Sequence, residues 1–423
     1  MRRVFLSLSN RNYRIWAAGA LVSNIGTWMQ RIAQDWIVLT ELTHHNATAV
    51  GIVMGLQFGP QILLLPLTGF AADHLDRRKL LFCTQAAMGL FALGLGLLVV
   101  TGLVQLWHVY VFAFLLGSAA AFDSPARQTF VTQLVEPALL TNAVGLNSTS
   151  FNAARMIGPA IAGLVIAAVG SGYVFLINAA SFVAVLVALA MLRLDKVKTD
   201  RRARSRGSLT DGFRYVLGRP DLKVILSMLF LVGTFGLNFP IFISTMSVSV
   251  FHVGAGQFGL LTSMMAAGSV TGALLAAARA RPGIPLLAVA AAMFGVTCAA
   301  AAFAPFYFVF GLILFTVGVS AQTFTTSANS LTQLSTAPEM RGRVIAILLA
   351  ISLGGTPIGA PIVGGIADRF GPRWALGVGA AAGLLAAIVM IHYLAKHRHL
   401  RLHVTGGRLR FSMDKGEAFS LPR

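Results

Sequence analysis

Charge is what this chain most lacks. Only 11% of its 423 residues are Asp, Glu, Lys or Arg, against about 25% in ordinary soluble domains. Acids are the scarcer sign, 14 against 33 Lys and Arg, which leaves a formal net charge of +19. In a soluble chain that surplus would point to nucleic acid. Here 56% of residues are hydrophobic and the cations fall in gaps between long apolar runs. They therefore read as membrane-surface and orientation signals, and no nucleic-acid partner is expected. There are only two cysteines, Cys83 and Cys298, both inside apolar runs; a disulfide framework and a metal site are excluded. No Gly-x-x-x-x-Gly-Lys-Ser/Thr loop is present, so ATP drive within this chain is not expected. The nine histidines are scattered, with His44 and His45 in a loop, and no paired His or Asp cluster supports a polytopic membrane enzyme. No catalytic residue, metal or cofactor is assigned. The amino-terminal stretch has no short apolar core followed by a small-residue cleavage site, so the first span is expected to remain in the mature protein.

What the chain has instead is apolar runs. A bilayer core needs about 20 such residues per helix, and twelve runs meet that demand. They lie near 13–40, 46–72, 78–101, 104–131, 139–168 and 171–193, then 222–250, 256–278, 283–303, 305–331, 341–367 and 373–395. The expected fold is an all-α membrane protein of twelve transmembrane helices in two pseudo-symmetric six-helix bundles. The bundles take residues 1–193 and 222–397, a basic linker with an amphipathic helix takes 194–221, and a tail takes 398–423. Within the linker, residues 208–220 predict a short helix on the membrane surface, capped by Ser208 or Thr210 and stopped by Gly218 and Pro220. With twelve spans the amino terminus, the 73–79 turn, the linker, Arg279/Arg281, Arg341/Arg343 and the tail share one face. The opposite loops hold only Arg369 and Arg373, beside Asp368. Both termini are therefore expected in the cytoplasm.

The halves repeat. Thr132-Gln133-Leu134 recurs as Thr332-Gln333-Leu334, an offset of 332 − 132 = 200. Gly158, Gly163 and Gly170 recur as Gly359, Gly364 and Gly371, an offset of 359 − 158 = 201. Matches in one order at one offset indicate a duplicated six-span unit.

Charges inside spans are costly, about 2.5–3.5 kcal/mol each at the centre on insertion scales, so they face protein or a water-filled cavity. The first span carries Asn24, Gln30, Arg31, Gln34 and Asp35; Arg31 and Asp35 lie one turn apart on one face. Asn152 and Arg155 lie on the fifth span, Asp123 and Arg127 on the fourth. Two readings of the first-span charges stand: Asp35 titrates a proton or binds a cation, with Arg155 as partner or anion contact, or Arg31 and Asp35 neutralise each other as a fixed pair. In the second half the cavity candidates are uncharged: Asn238, Met264, Gln322, Thr326 and Asn329, joined by Gln57 of the second span. Phe235, Phe239, Met264 and Met265 could form a soft apolar wall, though packing would use the same residues.

Between the second and third spans runs Gly69-Phe-Ala-Ala-Asp73-His-Leu-Asp76-Arg77-Arg78-Lys79. It resembles the loop signature of the major facilitator superfamily, with Asp76 standing where that pattern has its second glycine. The resemblance implies parallel six-span halves, a central cavity opening alternately to either side, and a gate at the inner ends. Gly69, Asp73, Arg77 and Arg78 belong to that gate, and Asp123 and Arg127 end close to it. Gly158-Pro159-Ala-Ile-Ala162-Gly163 resembles the superfamily's antiporter motif, with Ala162 replacing one glycine. The start of the fourth span, Trp107 to Gly117, lacks the arginine that many proton-driven members carry. Asp123-Ser-Pro-Ala-Arg127, Asn152-Ala-Ala-Arg155, Arg341-Gly-Arg343-Val and Gly364-Gly-Ile-Ala-Asp-Arg-Phe-Gly371 look like the branch that includes the enterobactin exporter and macrolide-efflux proteins, the transmembrane secretion effectors. That branch implies a monomeric bacterial inner-membrane exporter of a small organic compound, such as a drug-like molecule or siderophore, exchanged for protons. An importer or uniporter is the alternative.

Overall fold

The structure, a computed structural model, describes residues 5–193, 209–277, 283–398, 401–405 and 408–412. Helix α1 (Arg11–Trp36) starts where the Asn10 side chain accepts from the Asn12 and Tyr13 amides, and it runs on into a π-turn at Ile37–Leu42. Asn46 likewise caps α2 (Ala47–Leu63) through the Ala49 amide. The second run is not one helix. It breaks at Leu64 and resumes as α3 (Leu65–His74), which carries proline in its first turn. Pro66 has no N–H to give the preceding turn, which is why a continuous helix over 46–72 does not form.

The chain continues through α4 (Arg77–Val100), α5 (Leu106–Leu134), α6 (Leu140–Val169) and α7 (Ser171–Met191). Short helix α8 (Leu209–Leu217) follows, and then a composite segment of α9 (Pro220–Leu231), a π-turn, α10 (Phe239–Thr245) and a second π-turn. The rest is α11 (Ala255–Ala277), α12 (Ile284–Ala302), α13 (Tyr307–Leu334), α14 (Arg341–Phe370) and α15 (Pro372–Arg398).

Ten helical stretches among the described residues are long and apolar enough to cross a membrane. Twelve runs were expected; two of them do not meet this standard of length and composition. Helix α2 is too short at 17 residues, and α1 is absent from the ten because its apolar face is interrupted by Asn24, Gln30, Arg31, Gln34 and Asp35. A two-stranded antiparallel hairpin, β1 (Arg401–Thr405) and β2 (Arg408–Ser412), follows α15, with Leu402 opposite Phe411 and Val404 opposite Leu409. Helix is thus not the only element in the chain.

One pair of the repeated glycines takes matching turns. Helices α6 and α14 both end at a glycine of positive φ, Gly170 at 98° and Gly371 at 100°, 371 − 170 = 201 residues apart. Each is a left-handed stop that a side chain would strain.

Within each half of the sequence, α1 lies on α6 and α7, α4 on α5 and α7, α2 on α5, α11 on α13, and α12 on α13 and α15. Two seams join the halves, α2 along α14 and α6 along α11. Both depend on glycine. A Cβ on Gly364 would sit 2.8 Å from Thr48 Cα, and one on Gly163 would sit 3.1 Å from Gly256 Cα. Bare backbones are what let helices approach this closely where lipid supplies no hydrophobic drive.

The seams lie toward the end that carries the loops at 43–46, 251–254 and 371. There one apolar core runs through both halves, from Ile37, Val38 and Val50 to Phe242, Phe258 and Ala360. At the end that carries the amino terminus, the core splits. Tyr13, Trp16, Phe130 and Leu189 form one cluster, and Leu222, Leu331, Val344 and Leu394 form another. Among the described residues, the end where one core joins the halves is the sealed end, and the end where each half keeps its own core is the parted one.

Helix α8 is only partly a surface helix. Gly212 faces Arg343 of α14, with a Cβ there placed 2.9 Å from Arg343 Cβ, and Val216 one turn on is buried. Phe213 and Leu217 are exposed on the adjacent face. The Tyr215 hydroxyl accepts from the Ala337 amide at 3.2 Å, and Arg219 pairs with Asp221 at 2.8 Å while donating to the Ser335 carbonyl. The Asp221 hydrogen bond holds the Arg219 guanidinium above its ordinary range. Ser208, the basic stretch 194–208, Arg279 and Arg281 lie outside the described residues.

Candidate functional site

The polar face of α1 meets α7, α6 and α2 in turn. Gln30 accepts from the Asn178 amide at 2.5 Å, and Asn178 in turn accepts from Ser181 at 2.9 Å. One residue on, the Arg31 guanidinium lies over the Trp28 ring at 4.7 Å and faces the Phe58 ring at 5.5 Å. Its Nε is buried without a hydrogen-bond partner, as are both amide atoms of Gln34. Asp35 is 7% exposed and enters no hydrogen bond or ion pair among the described residues. The fixed Arg31–Asp35 pair is therefore not formed at contact distance. Arg31 leans toward the helix amino terminus, as helical side chains do, and so away from Asp35.

Trp36, next to Asp35, stacks on Phe258 of α11 at 5.9 Å, from the other half of the chain. Asp35 is thus the last charge before the seal. On α6, Gly158 rests on Trp28, with a Cβ there placed 2.7 Å from Trp28 Cβ, and Phe151 meets the Trp28 ring edge-on at 5.7 Å. Arg155 lies between these two contacts in sequence, and its Nε is buried and unpartnered, as is Ser150 Oγ. Asn152, expected beside Arg155, instead gives its amide to the Ser148 carbonyl of its own helix at 2.9 Å. The antiporter-like stretch is a two-sided joint: Gly158 faces α1, while Pro159 and Gly163 face Gly259 and Gly256 of α11.

Asp123 and Arg127 form a salt bridge of 3.0 Å. Asp123 also accepts from Thr84 at 2.9 Å and Gln85 at 2.7 Å of α4. Arg127 donates to Asn24 of α1 at 3.1 Å and faces the Trp16 ring. Asn24 therefore belongs to this network and not with Asp35. In the loop motif, Gly69 and Asp73 fall within α3, and their side-chain positions lie outside the described residues. Arg78 donates to the Leu189 and Ala190 carbonyls at 2.6 and 3.1 Å, closing the end of α7. Asp76 accepts from the Lys79 amide at 3.0 Å, so the acid in place of glycine is the cap of α4, and Arg77 is the first residue of that helix.

Several second-half candidates bond or pack within their own half, while the Asn238 Oδ1 is buried without a partner. Asn238 is fully buried and donates to the Thr234 carbonyl at 2.8 Å, spanning the break between α9 and α10. Met264 Sδ abuts Gly311 in the α11–α13 seam. Gln322 donates to Thr326 at 3.1 Å on its own helix. Asn329 is half-buried on the same helix, and the Gln57 backbone lies against Gly117 of α5.

Trp28, Phe58, Phe151, Trp36 and Phe258 escaped the sequence reading, because aromatic residues in a membrane helix are indistinguishable there from packing. Asp368 escaped as well. Its carboxylate accepts from the Ala47 amide at 2.6 Å, the Thr48 amide at 2.8 Å and the Thr48 hydroxyl at 2.5 Å, so one half caps the first turn of a helix of the other. An acid beside Arg369 on the face poor in charge was the available signal. Arg373, the other exception on that face, donates to the Ala302 and Ala304 carbonyls at the end of α12.

The family model described as transmembrane secretion effector matches residues 4–403. The staphyloferrin A transporter of Staphylococcus aureus (strain NCTC 8325 / PS 47) is 27% identical, covering 82% of this chain and 87% of its own. The multidrug efflux pump Tap of Mycolicibacterium fortuitum is 26% identical, over 83% and 88%. Among solved structures, a bacterial homologue of the iron transporter ferroportin in its inward-facing state superposes with a TM-score of 0.67 at 18% identity, over 90% of this chain and 98% of that one. At that identity the likeness shows the fold alone.

Proposed function

The chain belongs to the transmembrane secretion effector family of major facilitator transporters, and on that premise we propose that it exports a small organic compound across the bacterial inner membrane in exchange for protons. The observation that carries this reading is Asp35, a buried carboxylate without a partner, one residue inside the Trp36–Phe258 contact between the halves. A group that must bind and release a proton needs a site where neither form is locked by a neighbour, and where closure of the halves changes its access to water. In this reading the broken α2/α3 segment and α1 complete twelve spans in two six-helix bundles. The sealed end is periplasmic, the parted end and both termini are cytoplasmic, and the molecule is a monomer that rocks between this state and its reverse. The named activities of the relatives support outward transport of a siderophore-like or drug-like molecule.

The test is dequenching of a pH-sensitive dye in everted membrane vesicles, challenged with siderophores, macrolides and cationic dyes. Dequenching by one class, lost in Asp35→Asn with insertion unchanged, is the expected result. Wild-type dequenching in that variant overturns the assignment of Asp35.

A further inference from the structure

Arg31 and Arg155 share a demand that nothing around them meets. A guanidinium offers five N–H donors and no acceptor, and the Nε of each is buried without a partner. Helices α1 and α6 touch at Trp28 and Gly158. Arg31 stands three residues to the sealed side of that contact and Arg155 three residues to the parted side, so their backbones differ by about 9 Å along the helices. Between them the Trp28 and Phe151 rings meet edge to face at 5.7 Å, and the Phe58 ring lies 5.5 Å from the Arg31 guanidinium. Gln34 and Ser150 add further buried, unpartnered polar atoms on the same two helices. Two cations stand here against one acid, Asp35, and neither forms an ion pair with it.

We infer that Arg31 and Arg155 form a two-point receptor for an anionic group on the transported molecule, with Trp28, Phe58 and Phe151 holding its planar apolar body. This rests on the export reading and names its substrate class: organic acids with an aromatic or conjugated core. A planar guanidinium pairs two N–H groups with the two oxygens of a carboxylate, a match that a cationic or neutral ligand does not offer. The aromatic faces already turned to Arg31 fix the plane in which it presents those donors.

A charge series on one ring system tests the inference: 2-naphthoate, its neutral amide, and 2-naphthylmethylammonium, titrated against the purified full-length protein by calorimetry. The expected result is binding of the naphthoate at least tenfold tighter than of the amide or the ammonium, weakened at least fivefold in both Arg31→Gln and Arg155→Gln. Thermal unfolding of each variant serves as the folding control, and Arg155→Lys replaces a variant that fails to insert, with the same loss expected because the bidentate geometry goes. Equal binding across the series, binding indifferent to both arginines, or no binding at all would overturn the inference. The two readings separate in the vesicle assay. Export of cationic dyes without naphthoate binding sinks the anion receptor and leaves the exporter. Arginine-dependent naphthoate binding without flux of any compound sinks the exporter and leaves the receptor.

Discussion

Two acid–arginine pairs in this chain have the same spacing and opposite fates. On α5, Asp123 and Arg127 close to 3.0 Å and are braced by Thr84, Gln85 and Asn24. On α1, Arg31 and Asp35 do not close, and Arg31 lies over Trp28 instead. The order of the residues accounts for the difference. Helical side chains lean toward the amino terminus, so an arginine four residues after an acid reaches back to it, while one four residues before reaches away. The neighbours complete the contrast: α4 presents Thr84 and Gln85 to Asp123, whereas no helix gives Asp35 a donor among the described residues. One pair is closed and hydrogen-bonded by its neighbours, and the other is left with unmet bonding capacity.

The largest effect that would test this contrast is on flux: Asp35→Asn is expected to remove proton-linked dequenching while leaving the unfolding temperature nearly unchanged. Asp123→Asn should do the reverse to stability. It takes the counter-ion from the partly buried Arg127 and the ionised acceptor from Thr84 and Gln85, a loss of about 1–3 kcal/mol, seen as a fall in the thermal midpoint of the detergent-purified protein. Equal midpoints for the two variants would break the comparison. A smaller effect concerns the seal. Asp368→Ala removes a helix cap, worth about 0.5–2 kcal/mol, and should raise maleimide labelling of an Ala255→Cys probe severalfold in a background lacking Cys83 and Cys298. Unchanged labelling would mean that glycine packing alone holds that end. The smallest is Trp28→Leu, which removes a cation–π contact of about 0.5–2 kcal/mol; it should weaken naphthoate binding by less than either arginine variant does, and a larger loss would make the ring and not the cation the main contact.

Much of this was legible in the chain itself, for reasons that differ from residue to residue. The repeat read from Gly170 and Gly371 reappears as a matched pair of left-handed stops because only glycine takes that conformation readily. The break at Leu64 was hidden, since Pro66 sits in a run whose hydropathy does not change. The partners of Asp76, Arg78, Asn152 and Asn238 could not be read either. Each bonds to backbone atoms, which have no letter in the sequence. Asn24 was placed with Asp35 because both lie on α1, and only the approach of α5 drew it to Arg127.

What the sequence determined by itself is what depends on composition and local periodicity: membrane helices, the repeated motifs, the family, and polar groups that a bilayer tolerates only inside a protein. The tertiary structure decided which of those groups are satisfied, because partnership depends on residues far apart in the chain, 39 for Thr84 and Asp123 and 320 for Thr48 and Asp368. It also decided which end is sealed, since a seam needs two backbones brought together and each half of the sequence encodes only its own side.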